Sequence, residues 1–293
     1  MIRLLASDLD GTLLTGDNRL LPDTERALRA AMARGLRFLP ITGRAYVLTA
    51  PFLRQYGLKT DMILSNGAEV RTADGTCLRE RSIAPELLPE VTACYERHGL
   101  RPVLMTADGP AAVASREEIA ASYARKRENA ACDSLIPQEN TARILRELRC
   151  YKTVAAFLAD GGRAQKIVSF SPSQADLEAC RAELTPLCDR LSVVSSNAFN
   201  LEVSDREATK GAALQFYASR FGYAPEEIYV FGDQSNDISM FRFCPNSFAP
   251  ENGAQEAKAA AAHIIKSNDH GGVGAVIWSL MENQKEPKED KRK

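Results

Sequence analysis

Several things are scarce in this 293-residue chain, and each scarcity removes a class of protein. No apolar run approaches the roughly 18 residues of a membrane span. Charge arrives within the first few residues, at Arg3 and Asp8, too early for the apolar stretch of a signal peptide, so the expectation is a cytoplasmic protein. There is no basic excess: 37 Lys and Arg stand against 38 Asp and Glu, a net charge of -1, which argues against a nucleic-acid partner. The seven cysteines (77, 94, 132, 150, 180, 188 and 244) are odd in number and never fall in Cys-x-x-Cys pairs. They read as free thiols in a reducing compartment, and neither a disulfide framework nor a zinc site is expected. Three histidines show no ligand spacing; His98, before Gly99 at a helix end, and His263, opening a strand, read as structural. Nor is there an internal repeat.

What the chain does have is an alternation. The apolar run Ile2 to Ala6 reads as a buried strand that runs into Asp8-Leu9-Asp10-Gly11-Thr12. A helix follows from Pro22 to about Arg34, a strand over 36–41 ending in Thr42-Gly43-Arg44, a helix to about Tyr56, and a strand over 62–64 ending in Ser65-Asn66-Gly67. Three strand–helix alternations predict a doubly wound parallel sheet. The rhythm then changes to a hairpin around Asp74-Gly75 and a mixed run of helices and strands, among them strands near 153–158 and 165–171. Alternation resumes with a helix over 207–221 and a strand over 228–231 that ends in Gly232-Asp233. The fold class expected is α/β, a parallel-sheet core over 1–83 and 205–293 with an inserted α+β domain over 84–204. The last residues, 284–293, read as a solvated tail.

The chemistry-bearing residues share a position, just past a strand or at the start of a helix. In an open α/β sheet the carboxyl ends of the strands are where ligands bind. Asp8, Asp10, Thr42, Lys210 and Asp233 would therefore meet at one sheet edge. Together they suit phosphoryl transfer. A carboxylate that attacks a phosphate dianion needs its repulsion neutralised, and Mg²⁺ held by Asp8 and Asp233 with Lys210 alongside would do so. The Thr42 hydroxyl and the amides of Gly43 and Arg44 could hold phosphate oxygens. Asp10 is then free to move a proton.

Asp8-Leu9-Asp10-Gly11-Thr12, Thr42-Gly43-Arg44, Lys210-Gly211 and Gly232-Asp233-x-x-Asn236-Asp237 resemble, in order, the four motifs of the haloacid dehalogenase-like phosphatases. Ser65-Asn66-Gly67 followed by a long insertion looks like the Cof-type branch. The resemblance implies a Rossmann-like core with an α/β cap that sets specificity. It implies Asp8 as a nucleophile that forms an aspartyl-phosphate and Asp10 as the general acid and base. Mg²⁺ would be bound by Asp8, Asp233 and the backbone carbonyl of Asp10, with Asp237 supporting the metal's waters or Lys210. The expected substrate is a small phosphorylated metabolite, sugar phosphates foremost. A phosphosugar mutase and a weakly catalytic metabolite-binding regulator are the alternatives. Asn236 would touch phosphate or lie behind it; Asn66 caps a turn or touches substrate; Arg44 serves through its amide while its side chain makes ion pairs. Asn268 is a further candidate contact. Lys166, Asn200 and Glu202 could face a cleft, although surface exposure is the plainer expectation.

Overall fold

The structure is a computed structural model that describes residues 2–127, 138–195 and 199–283. The expected tail at 284–293 and the turn at Asn197-Ala198 lie outside the described residues. In chain order the strands are β1 (Leu4–Ser7), β2 (Arg37–Pro40), β3 (Met62–Leu64), β4 (Glu69–Arg71), β5 (Cys77–Glu80), β6 (Val103–Thr106) and β7 (Gly109–Ala112). They continue as β8 (Arg149–Cys150), β9 (Lys166–Phe170), β10 (Leu191–Val194), β11 (Asn200–Asp205), β12 (Ile228–Phe231), β13 (Asn246–Pro250) and β14 (His263–Ile265).

The chain divides into two compact units. One comprises residues 1–44, 49–78 and 209–293, the other 45–48 and 79–208. The first is built on a five-stranded sheet of order β14-β13-β12-β1-β2, with every pairing parallel. All four residues of β1 are buried, as a central parallel strand covered on both faces requires. Leu4 and Ala6 join a core with Leu214 and Tyr217 of the helix Lys210–Phe221, and with Met240 of the helix Ile238–Phe243. Each such buried aliphatic side chain contributes on the order of 2 kcal/mol.

The third strand does not join this sheet. β3 belongs to a separate three-stranded sheet, β3-β4-β5, and touches β2 through the single parallel bridge Ile41↔Ile63. The reason is Pro40. The Ile41 amide donates to Ser7 and the Thr42 amide to Ile63, so alternate residues of this segment serve opposite sides. Pro40 shares the parity of Thr42 and has no N–H to offer β3, which confines the contact to the strand's end.

The second unit has a six-stranded sheet of order β10-β11-β9-β6-β7-β8, antiparallel except at β7–β8. The helices Leu88–Arg97 and Gln174–Leu184 pack on it through Val91, Tyr95 and Leu177, which share a core with Ile167 and Leu201. The strand expected near 153–158 is instead the helix Val154–Ala159. The Thr153 hydroxyl caps it by accepting from the Ala156 amide, and its short apolar run carries no strand alternation.

Candidate active site

The parallel ladder sets the site. Ser7 is level with Pro40 on one side and with Phe231 on the other. The next residues, Asp8 and Gly232-Asp233, therefore emerge side by side at the carboxyl edge. The Asp8 amide still donates to the Phe231 carbonyl (2.9 Å), which holds its backbone to β12 as its side chain leaves the sheet. Thr42 follows two residues beyond the end of β2.

Lys210 stands at the first position of its helix, not inside it. The helix begins three residues later than the acidic segment suggests, because Thr209 is the cap and accepts from the Ala212 amide. A lysine there opposes the helix dipole. Two carboxylates supply the compensation. Its Nζ lies 3.0 Å from Asp8 Oδ1 and donates to Asp237 Oδ1 at 2.7 Å, and all three side chains are buried. Burial pulls the Lys210 pKa down, but the charges of Asp237 and Asp8 outweigh that effect and raise it above the usual lysine value. The Asp8 pKa rises too, which favours its neutral form. Burial raises its pKa well above the ordinary value, Asp237 and Asp233 push it further, and Lys210 offsets only part. Asp233 is raised too, chiefly by burial.

Asp233 is held by two neighbours that the sequence reading passed over. Thr12 donates to its Oδ1 at 2.7 Å and the Gln234 amide group to its Oδ2 at 3.0 Å. Thr12 lies inside the first motif, so its position was visible, but only the fold shows that its hydroxyl reaches a residue 221 positions away. Gly11 makes room for this approach: its φ is +74°, and a Cβ there would sit 2.5 Å from Asp233 Oδ2. Asp237 spends both oxygens within the protein, Oδ1 on Lys210 and Oδ2 on the amides of Asp233 and Gln234 (2.8 and 2.9 Å).

Three buried carboxylates, Asp8, Asp233 and Asp237, have oxygens within 4.8 Å of one another. One lysine does not balance three such groups, so the surplus of buried negative charge fits a hard divalent cation. Asp237 gives Oδ1 to the Lys210 ammonium and Oδ2 to two amides, whereas each Asp233 oxygen accepts one neutral donor and keeps a lone pair, so Asp8 and Asp233 are the side chains suited to hold one.

The second-strand loop differs from expectation. The helix after it starts only at Tyr46, and the Arg44 amide donates to Thr42 Oγ1 at 3.1 Å, so that amide is turned onto its own loop and does not form a helix-start anion site. The Arg44 side chain instead forks onto Asp10. Its Nε donates to Oδ2 at 2.8 Å and a terminal nitrogen to Oδ1, while the same nitrogen reaches Asn18 Oδ1 at 2.8 Å. Gly43 faces Asn66 closely: a Cβ there would lie 2.9 Å from Asn66 Oδ1. Asn66 adopts a left-handed conformation (φ 59°) and its Oδ1 accepts from Asn236 at 3.1 Å, tying the third-strand loop to the fourth motif.

Asn268 acts at one remove. Its side chain donates to the Leu14 carbonyl at 2.8 Å, and its amide donates to Asn252, which in turn donates to the Gly11 carbonyl at 2.8 Å. The pair braces the loop after β1. In the second unit, exposure is the wrong expectation for Asn200 and Glu202, which are both buried. Glu202 takes Lys166 Nζ on one oxygen and the Asn200 amide group on the other, each at 2.9 Å. Alternation along a strand puts Asn200 and Glu202 on one face, but it does not tell whether that face is covered. His263 stacks on Phe248 at 4.9 Å. Cys94, Cys180 and Cys244 are buried free thiols, whereas Cys77, Cys150 and Cys188 are exposed.

Among the described residues no helix is long and apolar enough to cross a membrane. The sequence matches the haloacid dehalogenase-like hydrolase family over residues 5–277. It is 27% identical over 286 residues to phosphatase YwpJ of Bacillus subtilis (strain 168), covering 96% of this chain and 100% of that protein. It is 25% identical over 287 residues to the pyridoxal phosphate phosphatase YbhA of Escherichia coli (strain K12), covering 95% and 98% respectively. A solved haloacid dehalogenase-like hydrolase from B. subtilis superposes with a TM-score of 0.76 at 25% identity, covering 95% of this chain and all of the other. With its parallel sheet, its strand-end carboxylates and a family match that spans nearly its whole length, the chain belongs to the haloacid dehalogenase-like hydrolases.

Proposed function

We propose that the protein is a Mg²⁺-dependent phosphatase of small phosphomonoesters, with sugar phosphates the leading class, and that it works through an aspartyl-phosphate on Asp8. The observation that carries this reading is Lys210 Nζ, buried between Asp8 and Asp237 at 3.0 and 2.7 Å beside a third buried carboxylate, Asp233. Names of relatives agree with it, since they include phosphatases, two of them named for a small phosphorylated compound.

Lys210 holds Asp8 Oδ1, so Oδ2 is the oxygen that attacks phosphorus as the bond to the leaving oxygen breaks. Asp10 gives its proton to that leaving oxygen. In the second half Asp10 takes a proton from water, which attacks the aspartyl-phosphate, frees inorganic phosphate and regenerates Asp8. The Arg44 fork bonds both Asp10 oxygens, so each transfer uses the lone pair that an oxygen keeps beside its bond to Arg44. Asp8, Asp233 and the Asp10 carbonyl would hold Mg²⁺, which supplies the positive charge that lets an anionic nucleophile meet an anionic phosphate. Thr42, Gly43 and Asn236 are assigned to the phosphate, and residues 84–204 to selection of the rest of the substrate.

The test is phosphate release from a panel of phosphomonoesters with Mg²⁺. Asp8→Asn is expected to lower turnover by roughly 10³-fold or more. Equal turnover in wild type and Asp8→Asn would sink the reading. Isomerised product without free phosphate would point to a mutase instead.

A further inference from the structure

A second cluster of metal-ligating side chains lies within the inserted unit, on the outward ends of its two facing helices. Cys94 and His98 are one helical turn apart on Leu88–Arg97 and its cap, and Cys180 and Glu183 one turn apart on Gln174–Leu184. The ligand atoms of Cys94, His98 and Glu183 all fall within 4.8 Å of one another. His98 Nε2 is 2.7 Å from Glu183 Oε2, and Cys94 Sγ is 3.4 Å from Cys180 Sγ. Both thiols are buried.

We propose that Cys94, Cys180, His98 and Glu183 form a binding site for a thiophilic divalent cation of the Zn²⁺ class, which ties these two helices together. Two sulfurs, one imidazole nitrogen and one carboxylate oxygen make a set of four donors of the kind Zn²⁺ takes in tetrahedral sites, and hard Mg²⁺ does not favour sulfur. Arg97 supplies the outer support. Its Nε donates to Glu183 Oε1 at 2.9 Å and a terminal nitrogen contacts the same oxygen, which leaves Oε2 turned to His98. Ligating carboxylates are oriented by such partners. Charge also closes: two thiolates and one carboxylate against a divalent cation and Arg97 leave the cluster neutral, as a half-buried site requires. Without a cation the thiols are protonated, since burial raises the pKa of both Cys94 and Cys180, so binding displaces their protons. The plainer account, a His98–Glu183–Arg97 surface ion cluster above two core thiols, uses the same contacts but gives no reason for thiols from both helices to meet beside an imidazole and a carboxylate.

The test is a Co²⁺ titration of the full-length protein under a phosphine reductant, with excess Mg²⁺ present so that the carboxylate site does not compete. The background carries Cys77→Ser, Cys132→Ser, Cys150→Ser and Cys188→Ser. A near-ultraviolet thiolate-to-cobalt charge-transfer band should grow, saturate at a single equivalent and vanish on adding Zn²⁺. The carboxylates of Asp8 and Asp233 cannot produce that band, so its presence or absence is independent of the phosphatase reading. His98→Ala and Glu183→Gln, at the half-exposed side of the cluster, should each weaken Co²⁺ affinity about tenfold or more with the fold intact by circular dichroism. Cys180→Ala should roughly halve the band, which scales with the number of thiolates. No band in the parent protein, a band unmoved by His98→Ala and Glu183→Gln, or full intensity in Cys180→Ala would overturn the proposal.

Discussion

At the scale of single residues, the site is a concentration of like charge that the fold tolerates only because Lys210 is buried within it. Asp8 sits where burial and two neighbouring carboxylates all disfavour its ionised form. Neutralising it should therefore stabilise the protein while removing the proposed nucleophile. Asp8→Asn is expected to raise the metal-free melting temperature by roughly 2–4 °C, about 1 kcal/mol for a chain of this size. Lys210→Met should do the reverse and cost about 3–5 kcal/mol, because the cluster then loses the ammonium buried between Asp8 and Asp237. Thermal unfolding with a chelator present, so that no metal masks the difference, reads both; a fall in Asp8→Asn or a neutral Lys210→Met would contradict this charge assignment. Some residues were legible from type and position alone, Asp8, Asp233 and Lys210 above all. Their partners were not: Thr12 on Asp233, Asn18 on Arg44 and Asn252 on the Gly11 carbonyl are contacts between distant stretches, and no spacing encodes them. The same holds for Cys94 and Cys180, two scattered core thiols until two helices are laid side by side.

At the scale of elements, the loops after the strands are fitted to one another more closely than their motifs suggest. Gly67 shows how closely. Its φ is +99°, and a Cβ would lie 2.1 Å from the carbonyl oxygen of Thr209, the residue that caps the helix of Lys210. Gly67→Ala therefore strains its own backbone and pushes on the start of that helix. The expected result is a stability loss of about 2–4 kcal/mol and a fall in turnover larger than any change in KM, because Lys210 shifts against Asp8. Denaturant unfolding and steady-state kinetics on the same variant would show it; unchanged kcat would mean that the loop does not position the lysine. The strand–helix alternation was readable because both faces of a parallel sheet must be covered, which writes long apolar runs between turn signals. The exceptions have local causes. β3 left the core sheet because Pro40 lacks the donor that side requires. Val154–Ala159 was mistaken for a strand because six residues are too few to separate the two periods.

At the scale of the whole molecule, stability should decline on the alkaline side for a definable reason. Burial in the core of the first unit lifts the Cys244 thiol from 9.0 to about 12. Between those values the unfolded chain has lost the proton and the folded chain has kept it, so unfolding releases a proton and rising pH favours it. This single group can contribute at most about 1.4 kcal/mol per pH unit. Cys244→Ala should flatten the fall in melting temperature between about pH 9 and about pH 12 under reducing conditions, and parallel curves would assign the fall to other groups. The ladder that joins β1 to β12 has a further consequence, in time. Asp8 is made long before its partners, since the strand beside it and the Asp233 that Thr12 grips arrive some 221 positions later. At about 5–20 residues per second, the first strand waits on the order of 10–40 s for its neighbour. Throughout that interval the short apolar stretch Leu4–Ser7 has an unpaired edge and the aspartate after it remains hydrated. A nascent chain is thus exposed to wrong partners at a segment that is later fully buried, and the carboxylate cluster assembles only when the closing strand docks.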